Sequence, residues 1–278
     1  PYLIATPRRL PRRTDAVDDT ARVTIPGGTF SLGTDDRTHA YDNERPAHPI
    51  NVDTFAIDKF PVTVARYSEF VRAGGQELWT VDGWDWITEQ GHAAPQGWIP
   101  DLDGGWLVRR FGHITALDPA EPVEHVSFHE AEAFARSLGA RLPTEVEWEK
   151  AAAWDPETAT TRSYPWGETA PTTDHANLGH RGWGPAPVGS YPAGASAYGV
   201  EQMLGDGYEW TTSFFEPYPG YTMFPYPQYS EVFFGEDYRV LRGASWATSK
   251  STARTTFRNW DYPIRRQIFA GIRLAWDI

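Results

Sequence analysis

The chain has 278 residues, a formal net charge of −12 and no cysteine. The negative charge argues against nucleic acid or anionic lipid as a partner, because either would require a basic patch. The lack of cysteine excludes disulfide bonds, thiolate zinc sites, iron–sulfur clusters and a cysteine nucleophile.

Residues 1–21 are predicted to be a linker or tail, because prolines, arginines and an acidic stretch follow one another without an apolar period. The short basic run is interpreted as solvated rather than as a nucleic-acid site; it contains Arg8, Arg9, Arg12 and Arg13. The sequence contains neither the roughly 20 apolar residues of a membrane helix nor the apolar core of a secretory signal. We therefore expect no membrane association and a cytoplasmic location.

The ordered domain is predicted to begin with short strands and one helix. Two strands, over residues 22–25 and 29–32, flank the Gly27-Gly28 pair, and a further strand is predicted over residues 49–57. The apolar spacing of residues 63–71, followed by Gly74 and Gly75, predicts the first helix.

Two further helices carry capping-box signals. Ser127 with Glu130 precedes an apolar run that ends at Gly139, and Thr144 with Glu147 precedes a shorter one. After about residue 154 the sequence predicts only strands and long ordered loops. Two or three helices among many short strands predict an α+β domain over residues 22–278.

A Pro-interrupted segment at residues 257–267 carries charges suited to ligand binding. Arg265 can clamp a carboxylate, Asp261 can receive an ammonium group, and Trp260 offers a face for a cation or a flat ring. Such a set suits an amino-acid-like zwitterion. A structural network of aspartate and arginine that fixes the loop is an equally open alternative.

The segment at residues 221–234, called here the tyrosine loop, combines aromatic residues with prolines. A rigid loop of this kind could present a phenol to a pocket as a proton donor. Simple packing is the favoured alternative for any single tyrosine.

Metal ligands are sparse in the sequence. The eight histidines show no H-E-x-x-H or comparable close pairing. Asp206 and the nearby Asn177 could contribute oxygen ligands to calcium, although capping of a turn by Asp206 is the simpler interpretation. No metal ligands are therefore predicted within the chain itself.

Several segments together resemble the formylglycine-generating-enzyme superfamily, whose fold is a variant of the C-type lectin fold. The matching segments are IPGGTFSLG (residues 25–33), ERPAHPINVDTFAIDKFPVT (44–63), PVEHVSFHEAEAFARSLGARLPTEVEWEKAA (122–152), YPWG (164–167), PVGSYPAG (187–194) and RVLRGASW (239–246). The formylglycine-generating enzymes themselves hold copper with two cysteines, so the lack of cysteine excludes that activity.

The chain ending FRNWDYPIRRQIFAGIRLAWDI is similar to the C-terminal domain of the ergothioneine-biosynthesis sulfoxide synthases, or hercynine oxygenases. YPQYSEVFF at residues 226–234 and PAGASAYGVEQMLGD at residues 192–206 are similar to them too. The resemblance implies a non-haem iron(II) enzyme. It uses O2 to join the sulfur of γ-glutamylcysteine or cysteine to C2 of hercynine, leaving a sulfoxide.

The resemblance also implies roles for residues of the two loops. Tyr226 matches the proton donor, and Asp261 and Arg265 match residues that bind the amino-acid group of the thiol. Asn259, Trp260 and Tyr229 match the pocket lining. Arg266, next to Arg265, is counted among the substrate-binding residues.

In this family three histidines on a preceding helical-bundle domain hold the iron, with an H-x3-H-x-E signature that this sequence lacks. Pro1 and the linker-like first residues lead us to expect an iron-bearing domain upstream as a partner. A non-catalytic binding module on the lectin-type fold is the alternative. A stand-alone oxygenase with another iron site is disfavoured by the scattered histidines.

Overall fold

Four α-helices are present in the computed structural model, which describes residues 8–13 and 15–278. They are α1 (Val64–Ala73), α2 (Val81–Gln90), α3 (Phe128–Ser137) and α4 (Glu145–Ala153).

The capping boxes that the sequence predicts are confirmed. The Ser127 and Thr144 side chains accept from the backbone N–H of Glu130 and Glu147, whose carboxylates accept from the backbone N–H groups of the two caps. Helix α2 was not predicted. Thr80 caps it, but its third position is Gly83 rather than an acidic residue, and glycine is a poor helix former.

The described part of the chain also contains fourteen short strands. They are β1 (Arg22–Ile25), β2 (Gly28–Leu32), β3 (His48–Val52), β4 (Phe55–Asp58), β5 (Trp98–Pro100), β6 (Trp106–Arg110), β7 (His113–Ala116), β8 (Trp154–Asp155), β9 (Thr160–Thr161), β10 (Tyr208–Phe215), β11 (Gly235–Gly243), β12 (Asn259–Asp261), β13 (Ala270–Gly271) and β14 (Ala275–Asp277).

The first strands pair in a way that the sequence did not reveal. β1 pairs with β4 and β2 pairs with β3, both antiparallel, so the strands flanking Gly27-Gly28 do not pair with each other. The single strand predicted over residues 49–57 is two strands. The break at Asp53 and Thr54 lets the Gly27 N–H donate to Thr54 Oγ1 at 2.9 Å, and it frees β4 to pair with the C-terminal β14.

The sheet that carries the candidate site has the order β12-β11-β10-β13. Its inner strands contribute Trp210 and Leu241 to a buried cluster that also contains Tyr67 of α1 and Phe134 of α3. Strand β12 lies at the edge of this sheet. The residues that follow it are therefore free to leave the sheet as a loop.

Several residues before β1 contact the domain. The Arg8 N–H donates to the Arg181 carbonyl at 2.8 Å, and the Thr63 hydroxyl donates to Asp19 at 2.6 Å. Arg12 pairs with Asp118 at 2.6 Å. The linker boundary at residue 22 stays a prediction, but residues 8–13 and 15–21 lie along the domain surface. Within the described residues, no helix is long and apolar enough to cross a membrane.

Candidate functional site

Trp260 is held in place by aromatic contacts on the edge strand β12. Its ring lies parallel to that of the buried Phe215, with centroids 4.1 Å apart and planes 8° apart. Phe233, from the tyrosine loop, packs against it at 5.6 Å. Stacked aromatic pairs have a preferred geometry, so these contacts restrict the orientation of the indole.

Asp261 and Arg265 form a partly exposed ion pair. Arg265 Nε lies 3.4 Å from Asp261 Oδ1, and the side chains keep 45% and 22% of their exposure. The Tyr262 N–H donates to the same oxygen at 2.8 Å. Burial raises the pKa of Asp261 above its usual value, and the Tyr262 N–H and Arg265 only partly oppose this. The pair thus offers opposite charges at an accessible position.

Asn259 begins the same strand and is half-buried. Its Oδ1 accepts the backbone N–H of Trp260 at 3.0 Å. This bond fixes the side chain beside its own backbone. Its amide nitrogen makes no hydrogen bond within the described residues.

The tyrosine loop places Tyr226 and Tyr229 side by side. The rings are perpendicular, with centroids 6.2 Å apart, and Tyr229 also packs on Tyr41 at 5.3 Å. Burial, with the nearby Tyr41 phenol, raises the pKa of Tyr229, so that side chain stays a neutral phenol. Tyr226 is 52% exposed, and its hydroxyl makes no hydrogen bond within the described residues.

Contacts between aromatic side chains join the tyrosine loop to the segment after β12. Phe233 packs on Tyr238 at 5.7 Å as well as on Trp260, and the Tyr238 hydroxyl donates to the Tyr262 hydroxyl at 2.8 Å. Six apolar side chains of these two segments are exposed, and we call this set the open apolar residues. It consists of Met223, Phe224, Tyr226, Val232, Tyr262 and Ile264.

The two other arginines of this segment are buried and paired. Arg258 forms a two-pronged pair with Glu145 of α4, with both N–O distances at 2.8 Å. Arg266 binds Glu130 of α3 at 2.8 Å and also donates to the Ala94 carbonyl. Arg266, counted among the substrate-binding residues, is therefore not brought to the accessible surface with Arg265.

The sequence analysis missed the support beneath the tyrosine loop. A short 3-10 helix at Asp42–Glu44 is fully buried and binds this loop through Asp42. The two segments are separated by more than 170 residues along the chain, and a single aspartate such as Asp42 gives no signal of such a contact.

Asp206 and Asn177 are buried and bonded to each other. Asp206 accepts hydrogen bonds from Asn177 Nδ2 at 2.9 Å, from the Ala186 N–H at 2.7 Å and from Gln202 at 2.8 Å. Burial raises the pKa of Asp206 to about 6 despite these donors. Calcium prefers six to eight oxygen ligands, and here the carboxylate faces donors instead. The carboxylate therefore joins Asn177, Ala186 and Gln202 rather than capping its own turn, and calcium at this position stays a prediction.

Within residues 8–13 and 15–278, no three His, Asp or Glu side chains are grouped so that they could hold a metal ion. The residues described here therefore do not fit an iron centre by themselves.

The sequence matches the Sulfatase-modifying factor enzyme 1-like domain over residues 7–278. The chain belongs to this family. Its fold is also similar to that of PvdO from Pseudomonas aeruginosa, with a TM-score of 0.62 and 21% identity over 92% of this chain and 94% of that one. The predicted α+β fold of the formylglycine-generating-enzyme type is thus confirmed.

Two relatives are much more similar to this chain in sequence than PvdO is. The chain is 52% identical to the hercynine oxygenase of Mycolicibacterium smegmatis over 100% of this chain and 66% of the relative. It is 54% identical to the hercynine oxygenase of Mycobacterium tuberculosis over 90% of this chain and 59% of the relative. The chain thus spans less than two thirds of the length of these relatives.

Proposed function

We propose that this chain is the substrate-binding part of an iron(II)- and O2-dependent sulfoxide synthase of ergothioneine biosynthesis. In this reaction the sulfur of γ-glutamylcysteine or cysteine is joined to C2 of hercynine. One observation carries the proposal. A chain 52–54% identical to hercynine oxygenases carries the partly exposed Asp261–Arg265 pair directly after Trp260, which packs on Phe233 of the tyrosine loop.

The Asp261–Arg265 pair is suited to the amino-acid group of the thiol. An incoming zwitterion brings an ammonium for Asp261 and a carboxylate for Arg265, so each charge exchanges one opposite partner for another. Partly exposed pairs are weak, typically no more than about 1 kcal/mol, so opening this pair costs little. A guanidinium can bind a carboxylate through two parallel hydrogen bonds, which also fixes the orientation of the ligand.

The indole of Trp260 and the phenol of Tyr229 would line the pocket. Asn259 supplies an amide group beside them. Holding two reactants in a fixed orientation lowers the entropic part of the barrier to their coupling.

Tyr226 would supply a proton. The reaction takes one hydrogen atom from the thiol and one from C2 of hercynine; one oxygen atom of O2 remains on sulfur and the other leaves as water. The two substrates thus provide all the electrons, and no separate reductant is required. A phenol with an exposed hydroxyl can donate a proton during this reduction of oxygen.

The iron that activates O2 requires ligands beyond the residues described here. We propose that a segment preceding this chain supplies them and packs on the open apolar residues. Exposed apolar residues that form a contiguous patch are typical of an interaction site. The thiol, hercynine and O2 would then meet between the two parts.

The test uses the native gene product, whose intact mass is measured first under denaturing conditions. We expect a mass above the 31.3 kDa of this chain, or a second polypeptide that co-purifies with it. With ferrous iron, hercynine, γ-glutamylcysteine and O2, we expect the sulfoxide as a product. If the protein binds hercynine or the thiol but forms no sulfoxide, it is a binding module instead.

A further inference from the structure

Asp42 is a buried carboxylate that binds the tyrosine loop at three points. Its Oδ2 accepts from the Tyr221 hydroxyl at 2.8 Å and from the Phe224 N–H at 3.1 Å. Its Oδ1 accepts from the Ser230 hydroxyl at 2.5 Å. These contacts lie on both sides of Tyr226 in the sequence, so Asp42 holds the loop before and after the phenol.

The tyrosine loop supplies the hydrogen-bond donors that the buried Asp42 carboxylate requires. Only 1% of the residue is exposed, and no Lys, Arg or His of residues 8–13 and 15–278 lies within ion-pair distance of it. A buried charge without an ionic partner is costly unless hydrogen-bond donors stabilise it. Asp42 receives those donors from the tyrosine loop.

The neighbours of Asp42 connect the same support to the segment around β12. The Asn43 side chain donates to Ser230 at 3.0 Å, and the Asn43 carbonyl accepts from Arg258 at 2.8 Å. Glu44 binds Arg254 and accepts from the Thr256 hydroxyl at 2.7 Å. The helix Asp42–Glu44 therefore fixes the tyrosine loop and the residues before Asn259 relative to each other.

Tyr226 itself has few contacts that could fix it. Its side chain is half-exposed and its hydroxyl is free in the described structure. Its perpendicular contact with Tyr229 is a contact within the same loop. The position of the phenol is thus set by the backbone of the loop.

We infer that Asp42 is a positioning residue, which places the Tyr226 hydroxyl for proton donation by holding the loop at Tyr221, Phe224 and Ser230. The inference rests on the proposed function, in which Tyr226 is the proton donor. It adds a residue remote in sequence that affects the product ratio through this tyrosine.

The test compares Asp42→Asn with the wild type in the full gene product. An asparagine has one acceptor oxygen and cannot accept from all three donors. We expect the ratio of sulfoxide to oxidised thiol to fall about tenfold, because a small misplacement of a reacting group costs this much or more. The ratio compares products of active molecules only, so a loss of folded protein alone would not change it.

Two further variants separate positioning from a general structural effect. Tyr226→Phe combined with Asp42→Asn should give the ratio of Tyr226→Phe alone, because Asp42 acts through this phenol. Asp155→Asn removes another buried carboxylate, which binds Arg162, and should keep the wild-type ratio. Ser230→Ala removes a single donor; if Asp42→Asn does not fold, this variant should still lower the ratio.

A wild-type ratio in Asp42→Asn, or a double variant shifted beyond Tyr226→Phe, overturns the inference. Hydrogen exchange of the peptide covering residues 221–234 gives a second readout that needs no activity. Exchange that is faster only in this peptide supports the inference, and unchanged exchange overturns it. If the wild-type protein forms neither product, the proposed function fails, and the exchange experiment still decides whether Asp42 holds the loop.

Discussion

The pair between Arg258 and Glu145 is the perturbation whose cost follows most directly from the structure. Arg258 is fully buried, and its guanidinium also donates to the carbonyls of Asn43 at 2.8 Å and Glu216 at 2.9 Å. Arg242, also fully buried, lies 3.8 Å from the same Glu145 carboxylate. Glu145 thus compensates the charge of Arg258, while the main partner of Arg242 is the buried Glu149.

Glu145→Gln removes this charge and keeps the size of the side chain. Breaking a buried pair from one side costs about 3–5 kcal/mol, because the other charge remains buried without compensation. For a chain of this size we expect the melting temperature to fall by about 6–10 °C. Thermal and urea unfolding, followed by circular dichroism, measure both quantities.

Two variants make the interpretation specific. Glu132→Gln breaks the exposed pair with Arg136, whose N–O distance is 3.2 Å, and should cost only about 0.3–0.5 kcal/mol. Replacing both Glu145 and Arg258 by methionine should recover much of the loss, because no unpaired charge is left inside. A loss below about 1 kcal/mol in Glu145→Gln would refute the reasoning.

Three further predictions concern activity and pH. Tyr226→Phe should divert O2 toward oxidation of the thiol alone, and product analysis that finds the wild-type ratio would contradict its role. Asp261→Asn and Arg265→Lys should each raise the KM for the thiol and leave the KM for hercynine unchanged, in steady-state kinetics. Burial outweighs the nearby Arg110 and raises the pKa of Glu124 to about 8. Folding therefore favours its protonated form, and the stabilisation present below the unfolded pKa is lost as the pH rises toward 8. In Glu124→Gln, the free energy of unfolding, measured by chemical denaturation from pH 5 to 9, should therefore fall less steeply with pH than in the wild type. If the pH dependence is the same in both proteins, Glu124 is not the group that causes the loss of stability.

Helices α3 and α4 could be predicted because each has a capping-box signal next to it in the sequence. The capping boxes at Ser127 and Thr144 lie within four residues of their helices, so sequence alone reveals them. Helix α2 lacks such a signal, and its glycine and aspartate lower the local propensity. The pairing of β1 with β4 was not predictable for a different reason: it depends on partners 30 to 36 residues away.

The candidate site was only partly predictable. The residue types and the family resemblance select Trp260, Asp261 and Arg265; in the structure Trp260 packs on Phe233 of the tyrosine loop, and Asp261 pairs with Arg265. The sequence cannot divide the arginines of this segment into ligand-binding and structural ones. The partner of Arg258 lies 113 residues away and that of Arg266 lies 136 residues away, so only the tertiary fold reveals these pairs.

The same physical rule explains which of these charges can respond to a ligand. A ligand can separate Asp261 from Arg265 because the pair is partly exposed and weak. It cannot open the pair between Arg258 and Glu145 without leaving a buried charge unpaired. The buried pairs of Arg258 and Arg266 with glutamates fix the segment on both sides of Asp261. A structural network and the proposed zwitterion clamp are therefore compatible, because the network leaves Asp261 and Arg265 partly exposed.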